Sequence, residues 1–174
     1  MNFNLSHALD ILSRTPETLE KLLAHLPVEW HRNNEGDDTW SPYEVLGHLI
    51  HGEKTDWIPR AQIILSDRED KTFEPYDRFA QQREDQSRPI EVLLSEFEAL
   101  RAENLRIVKS LNIDEEKLQR KGIHPALGEA TLQELLSAWT VHDLGHIAQV
   151  SRVMAKQYSS EVGPWKAYLG ILKA

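Results

Sequence analysis

Thr131-Leu-Gln-Glu134-Leu-Leu-Ser-Ala-Trp139-Thr-Val-His142-Asp143-Leu-Gly-His146-Ile-Ala-Gln149-Val150 is the stretch that decides the fold. It opens with a hydroxyl residue followed three positions later by glutamate, the pairing of a capping box, which marks a helix start. From there Leu132, Leu135, Trp139, His142, His146, Val150 and Val153 advance by three or four residues each. That is the period of one helix face. The spacing predicts a long helix over residues 131–156 whose core stripe carries two histidines one turn apart.

Two imidazoles buried together must find partners for all their ring nitrogens, and each group left unpaired costs about 1–3 kcal/mol. A shared metal ion removes that cost, and positions i and i+4 present both rings on the same face. The zincin motif needs glutamate directly after the first histidine, whereas Asp143 stands there. Asp143 lies about 100° around the helix from His142, so it is not expected to bind a metal directly.

A third ligand should come from a facing helix. Ser41-Pro42-Tyr43-Glu44 is another capping box, with proline at the first helical position. The helix it starts runs through Val45, Leu46, His48, Leu49 and Gly52, which puts His48 on the apolar face. His51 competes for the role but is shifted around the helix. Pro59 should kink or interrupt this helix before Ile63, Ile64 and Leu65.

The remaining signals are also helical. Leu5, Ala8, Leu9 and Leu12 keep helical spacing, and Thr15-Pro16 reads as an N-cap followed by the first residue of a second run to Leu26. The region is one helix broken near Thr15 or two in tandem, ending before Pro27. Residues 28–40 read as a polar loop bracketed by Trp30 and Trp40. Residues 67–88 form a long connector whose centre, Phe73-Glu-Pro-Tyr-Asp-Arg-Phe79, is too aromatic for a plain linker. Pro89 opens a third main helix with an apolar stripe through Phe97, Leu100, Ile107 and Val108, interrupted by Asn104. Residues 112–130 look irregular, and the tail Val162-Gly-Pro-Trp-Lys-Ala-Tyr-Leu169 carries apolar residues suited to docking on a bundle. The expectation is an all-α four-helix bundle with one long crossover connection, a single domain over residues 1–174.

Composition narrows the chemistry. The chain has no cysteine, which excludes disulfides, thiolate ligands and a cysteine nucleophile, so any metal must be held by histidine, carboxylate or water. The formal net charge of −8 and the scattered lysines and arginines argue against nucleic acid as a partner. No apolar run approaches the length of a membrane span and no signal peptide is evident, so a cytoplasmic location is expected. His7, His25 and His31 read as surface or loop residues, His124 as a residue ordering the loop before the last helix, and the acidic run from Asp67 to Asp70 as a solvated loop.

Trp40-Ser-Pro-Tyr-Glu-Val-Leu-Gly-His48-Leu resembles the second-helix signature of the DinB/YfiT-like superfamily. His124-Pro-Ala-Leu-Gly-Glu-Ala-Thr-Leu-Gln-Glu-Leu-Leu-Ser-Ala-Trp139 resembles its connector into the last helix, and His142-Asp-Leu-Gly-His146-Ile-Ala-Gln149 its paired-histidine motif. The tail is similar to that of one branch. The likeness spans nearly the whole chain. It implies a four-helix bundle holding one divalent metal, zinc or nickel, on His48, His142 and His146. It also implies a homodimer. Activities in the superfamily include transfer and isomerisation reactions that use low-molecular-weight thiols. Its name does not imply DNA binding.

Three protein ligands leave a coordination position open, the mark of a catalytic rather than structural site. An external low-molecular-weight thiol, activated as thiolate, could then be transferred to a small electrophilic substrate. Activation of water for hydrolysis is the alternative and calls for a general base, with Glu44, His51 and Asp143 as candidates. A non-enzymatic metal-binding or stress-related protein, and a plain helical scaffold with buried histidines, are further readings. Tyr76, Asp77, Arg78 and Trp139 are the expected substrate rim.

Overall fold

The computed structural model describes residues 1–173. Helix α1 (Leu5–Leu23) is followed by the short α2 (Val28–Arg32), then α3 (Pro42–Thr55) and α4 (Trp57–Leu65). After the crossover come α5 (Ile90–Ser110), the short α6 (Glu115–Gln119), the strands β1 (Lys121–His124) and β2 (Gly128–Thr131), and α7 (Leu132–Lys156). The main helices α1, α3, α5 and α7 form the bundle, with α4 continuing α3. α1 packs on α5 and α7, and α3 packs on the same two, so α1 and α3 stand diagonally opposed. No described helix is long and apolar enough to cross a membrane.

Both capping boxes form. Ser41 and Glu44 close the start of α3, and Thr131 and Glu134 close that of α7, each through reciprocal side-chain to backbone bonds. Pro59 acts as expected, but the break falls just upstream. Proline clashes with the carbonyl four residues back and offers it no N–H, and that residue is Thr55, where α3 ends.

Thr15 is not an N-cap: α1 runs unbroken through Pro16. The Thr15 hydroxyl bonds back to the Ile11 carbonyl at 3.4 Å. The carbonyl stranded by Pro16 is that of Leu12, and it accepts instead from Arg101 Nη1 at 2.7 Å. A buried side chain from another helix thus satisfies the group that would otherwise make proline in a helix interior so unfavourable.

Other expectations are corrected. Residues 28–40 contain α2, where His31 is 93% buried rather than on the surface, being 7% exposed. Residues 112–130 hold α6 and an antiparallel hairpin. The hairpin pairs with the start of the crossover: Phe73 N–H donates to the Ile123 carbonyl and Ile123 N–H to that of Lys71, both at 2.9 Å. Gly122 makes this possible, since a Cβ there would lie 2.3 Å from the Phe73 ring. The tail forms two 3₁₀ turns, 163–167 and 170–172; the second touches α7, but Trp165 and Tyr168 stay exposed because neither turn buries a side chain.

The apolar core forms two clusters. One gathers Leu12, Trp57, Ile64, Phe73, Leu132 and Trp139, the other Leu19, Val45, Leu49, Phe97 and Val150. Between them lies a polar layer. Arg101 of α5, 1% exposed, donates to both Asp143 oxygens at 2.6 and 3.1 Å and to Glu53 Oε1 at 2.8 Å. Asn104 donates to Glu53 Oε2 and the Glu53 carbonyl, and Trp139 Nε1 donates to Glu53 Oε1. Burial works against the Arg101 charge, but Asp143 and Glu53 outweigh it and hold its pKa above the ordinary value.

Removing one partner of such a network strands the others in low dielectric. Arg101→Ala is expected to destabilise the chain by about 3–5 kcal/mol, read from the urea midpoint. A loss below about 1 kcal/mol, the scale of an exposed ion pair, would show that the layer is not load-carrying.

Candidate metal centre

The side chains that converge belong to α3 and α7. The stripe rule places His142 and His146 one turn apart on α7, and the Ser41–Glu44 cap sets the phase that turns His48 toward them. His48 Nε2 and His146 Nε2 each lie 3.1 Å from His142 Nε2. All three ligating atoms fall within 4.8 Å of one another, and no other such group of histidine and carboxylate side chains occurs among the described residues. Nitrogen ligands at about 2.0–2.1 Å around a tetrahedral ion are spaced by roughly 3.3–3.4 Å, so the cluster fits one divalent ion with little movement.

The opposite ring nitrogens are oriented for the same role. Gln149 Oε1 lies 2.8 Å from His146 Nδ1. An amide oxygen only accepts, so the proton sits on Nδ1 and the Nε2 lone pair points into the cluster. Tyr76 Oη lies 3.3 Å from His48 Nδ1 and donates to the His48 carbonyl at 3.4 Å, leaving its own oxygen free to accept from Nδ1. Such outer partners fix the tautomer and ring angle of a metal-binding histidine. Hydrogen bonding alone serves the cluster poorly, because His142 Nδ1 is buried without a partner.

The rings are held neutral. Burial, reinforced by neighbouring histidines, lowers the pKa of His48 to about 4 and that of His142 to about 3. Burial lowers His146 as well, partly offset by Gln149 and Asp143. Neutral imidazole is the metal-binding form.

Around the triad, Trp40 packs its ring 4.8 Å from that of His48 and 6.4 Å from that of His146, and Trp57 meets His142 edge-on at 5.2 Å. The other sequence candidates disperse. Asp143 is fully buried and locked by Arg101, so it cannot serve as a free base. Glu44 is spent on its cap, its Oε2 accepting from Ser41 N and Oγ. His51 faces Thr55 and lies tilted against Tyr76, 5.2 Å between ring centroids, instead of joining the cluster. His124 stays in the hairpin turn, its Nδ1 accepting from Ala126 and Leu127.

Of the expected rim, Tyr76 touches His48 and Arg78 lies over Trp40, while exposed Asp77 pairs with Arg83. Trp139 is no rim residue: it is 1% exposed and stacks on Trp57 at 5.6 Å. Sequence reading quoted Gln149 and Trp40 at the edges of its motifs but gave neither a role at the site; the signal for Gln149 was an amide three residues after His146 on the same face.

A family model described as the DinB superfamily matches residues 11–150. No curated protein matches the chain. Among solved structures, YfiT from Bacillus subtilis superposes with a TM-score of 0.73 at 16% identity, covering 91% of this chain and 87% of that one. YfiT is described as a probable metal-dependent hydrolase with an unusual four-helix bundle topology, and at this identity the likeness speaks to fold alone.

Two outcomes are expected. Tyr76→Phe and Gln149→Leu should each weaken zinc binding about 10–100-fold in a chelator competition; unchanged affinity in both would remove the orienting role. For the metal-free chain, each unfolded histidine, near 6.5, takes up protons that folded His48 and His142 resist down to about 4 and 3. Stability is therefore lost as pH falls below about 6.5 and is unaffected by these groups above it. Asp56, pushed up to about 6 by burial, works in the opposite sense. The histidine share is the difference between the chain and a His48→Gln/His142→Gln variant, whose urea midpoint should fall less from pH 7 to pH 5.

Proposed function

We propose that this chain, which belongs to the DinB superfamily, is a metal-dependent enzyme of the cytoplasm that transfers a low-molecular-weight thiol to a small electrophilic substrate. The convergence of three neutral histidine nitrogens, two of them each 3.1 Å from the third, carries the reading. Zinc or nickel fits an all-imidazole donor set. An ion so held leaves its charge uncompensated by its ligands and supplies Lewis acidity to a nucleophile at an open position.

The protein's own part is to hold, orient and shield. Tyr76 and Gln149 set the ring angles of His48 and His146, and Trp40 and Trp57 wall the rings from water. Burial raises the Tyr76 phenol above its ordinary value, so its proton stays in place near neutral pH. What favours the thiol over water is the fate of the carboxylates: Asp143 and Glu44 are both occupied, and a thiol, unlike water, ionises without a strong base. Hydrolysis is the second reading, favoured by the fold likeness to YfiT. A small molecule and a second copy of the chain are the proposed partners. The exposed α7 residues Val141 and Leu144, beside Gly145, favour self-association.

The test begins with metal content after purification without an affinity column. About one equivalent of zinc or nickel is expected, and His142→Ala should lose it. The loaded protein, given glutathione, bacillithiol or mycothiol with an electrophile, should turn over, and His48→Ala should abolish turnover without shifting the metal-free urea midpoint downward. Full activity in His48→Ala ends the reading of the three-histidine centre as the seat of the activity, absence of turnover with every thiol and electrophile ends the enzyme reading, and turnover of esters or amides without thiol replaces transfer by hydrolysis.

A further inference from the structure

One cation at the centre has no counter-charge. Arg78 is exposed, and its Cζ lies 5.8 Å from the Trp40 ring centroid and 5.2 Å from that of Phe79. Among the described residues no carboxylate pairs with it. Its neighbour Asp77 is taken by Arg83 and by the Phe79 N–H. The same Trp40 ring packs on His48 and His146, so Arg78 shares a wall with two of the three histidines.

Arg101, Arg60, Arg88, Arg106 and Arg152 face carboxylates. Arg32, which also lies over an aromatic ring, that of Tyr43, spends a donor on the Arg88 carbonyl. What distinguishes Arg78 is its place on the Trp40 ring beside the histidines. A guanidinium lying over aromatic faces keeps its in-plane donors for a partner, and that fork matches a carboxylate. Phe79, 46% exposed and edge-on to Trp40 at 6.1 Å, offers apolar surface next to those donors.

The geometry points to Arg78 and Phe79 as a recognition element for a carboxylate-bearing small molecule, its charge on the guanidinium and its apolar body against the Phe79 ring. The inference rests on the metal-centre reading for its place beside the triad. It deepens that reading by naming the class of molecule the centre accepts: an organic anion rather than a neutral or cationic compound.

Benzoate and its neutral isostere benzamide are the probes, titrated by quenching of tryptophan fluorescence in zinc-loaded and chelator-treated full-length protein. Both forms should bind benzoate more tightly than benzamide. Arg78→Met, which keeps the aliphatic stem on Trp40, should weaken benzoate about tenfold in both forms and leave benzamide unchanged. Arg78→Lys should retain part of the preference. Equal binding of the two probes, no benzoate binding, or a preference intact in Arg78→Met overturns the proposal. Zinc stoichiometry measured on the same samples keeps the two readings apart. A chain that binds no zinc but discriminates through Arg78 loses the metal centre alone, and one that binds zinc without discriminating loses only the anion site.

Discussion

The bundle is organised around one guanidinium. Arg101 reaches from α5 to the Leu12 carbonyl of α1, to Glu53 of α3 and to Asp143 of α7, so a single side chain bonds to every other main helix. An arginine so buried is tolerable only when its charge is answered: two carboxylates and a carbonyl take the bonds of its two terminal nitrogens, and Nε alone stays buried without a partner. The arrangement fixes the helices in register as well as in contact. Apolar stripes can slide by a turn at modest loss, whereas a bidentate ion pair has one geometry.

That register is what makes the histidine cluster possible. Asp143 is the residue next to His142 on α7, and Glu53 lies five residues beyond His48 on α3. The ion layer therefore clamps the two histidine-bearing helices within about one turn of the histidines themselves. The clustered histidines and the salt bridges use adjoining faces of the same two helices. The layer also explains why the apolar core is divided: the polar residues occupy the level at which the clusters of Leu12 and Leu19 would otherwise merge. Pro16 belongs to the same arrangement, since it frees the carbonyl that Arg101 takes.

Elements whose signals are local were legible in the sequence. Capping boxes at Ser41 and Thr131 and the stripe through His142 and His146 predicted two helices, their phase and the pairing with His48, because cap chemistry and periodicity are properties of a few neighbouring residues. The continuous α1 was not legible, because the group that rescues the Leu12 carbonyl is 89 residues away. The hairpin at 121–131 was missed for the same reason: its four-residue strands are too short to show alternation, and they are held by pairing with residues 71–73. Trp139 was read both as core and as rim, and its stacking on Trp57 decides for core. A charged residue in an apolar stripe was the overlooked signal. Arg101 follows Phe97 by four and precedes Leu105 by four, just as Asp143 follows Trp139 and Glu53 follows Leu49. Three such interruptions of complementary sign on three helices announce a buried network before any coordinates do.

The crossover completes the logic. A free segment of this length would leave the site open to water and its own backbone without fixed partners. Here it is pinned at two points of different character. At its start, residues 71–73 join the hairpin, and the Phe73 ring fills the space that Gly122 leaves. A few residues on, Tyr76 reaches His48, its oxygen 3.3 Å from Nδ1. Beyond this second pin the chain emerges with Arg78 and Phe79 directed over Trp40. The hairpin thus fixes where the crossover begins, Tyr76 fixes where it meets the histidines, and the residues that follow are carried over the Trp40 ring by that constraint. A segment that reads from sequence as a loop is, physically, the third wall of the site, and its aromatic composition follows from the surfaces it has to cover.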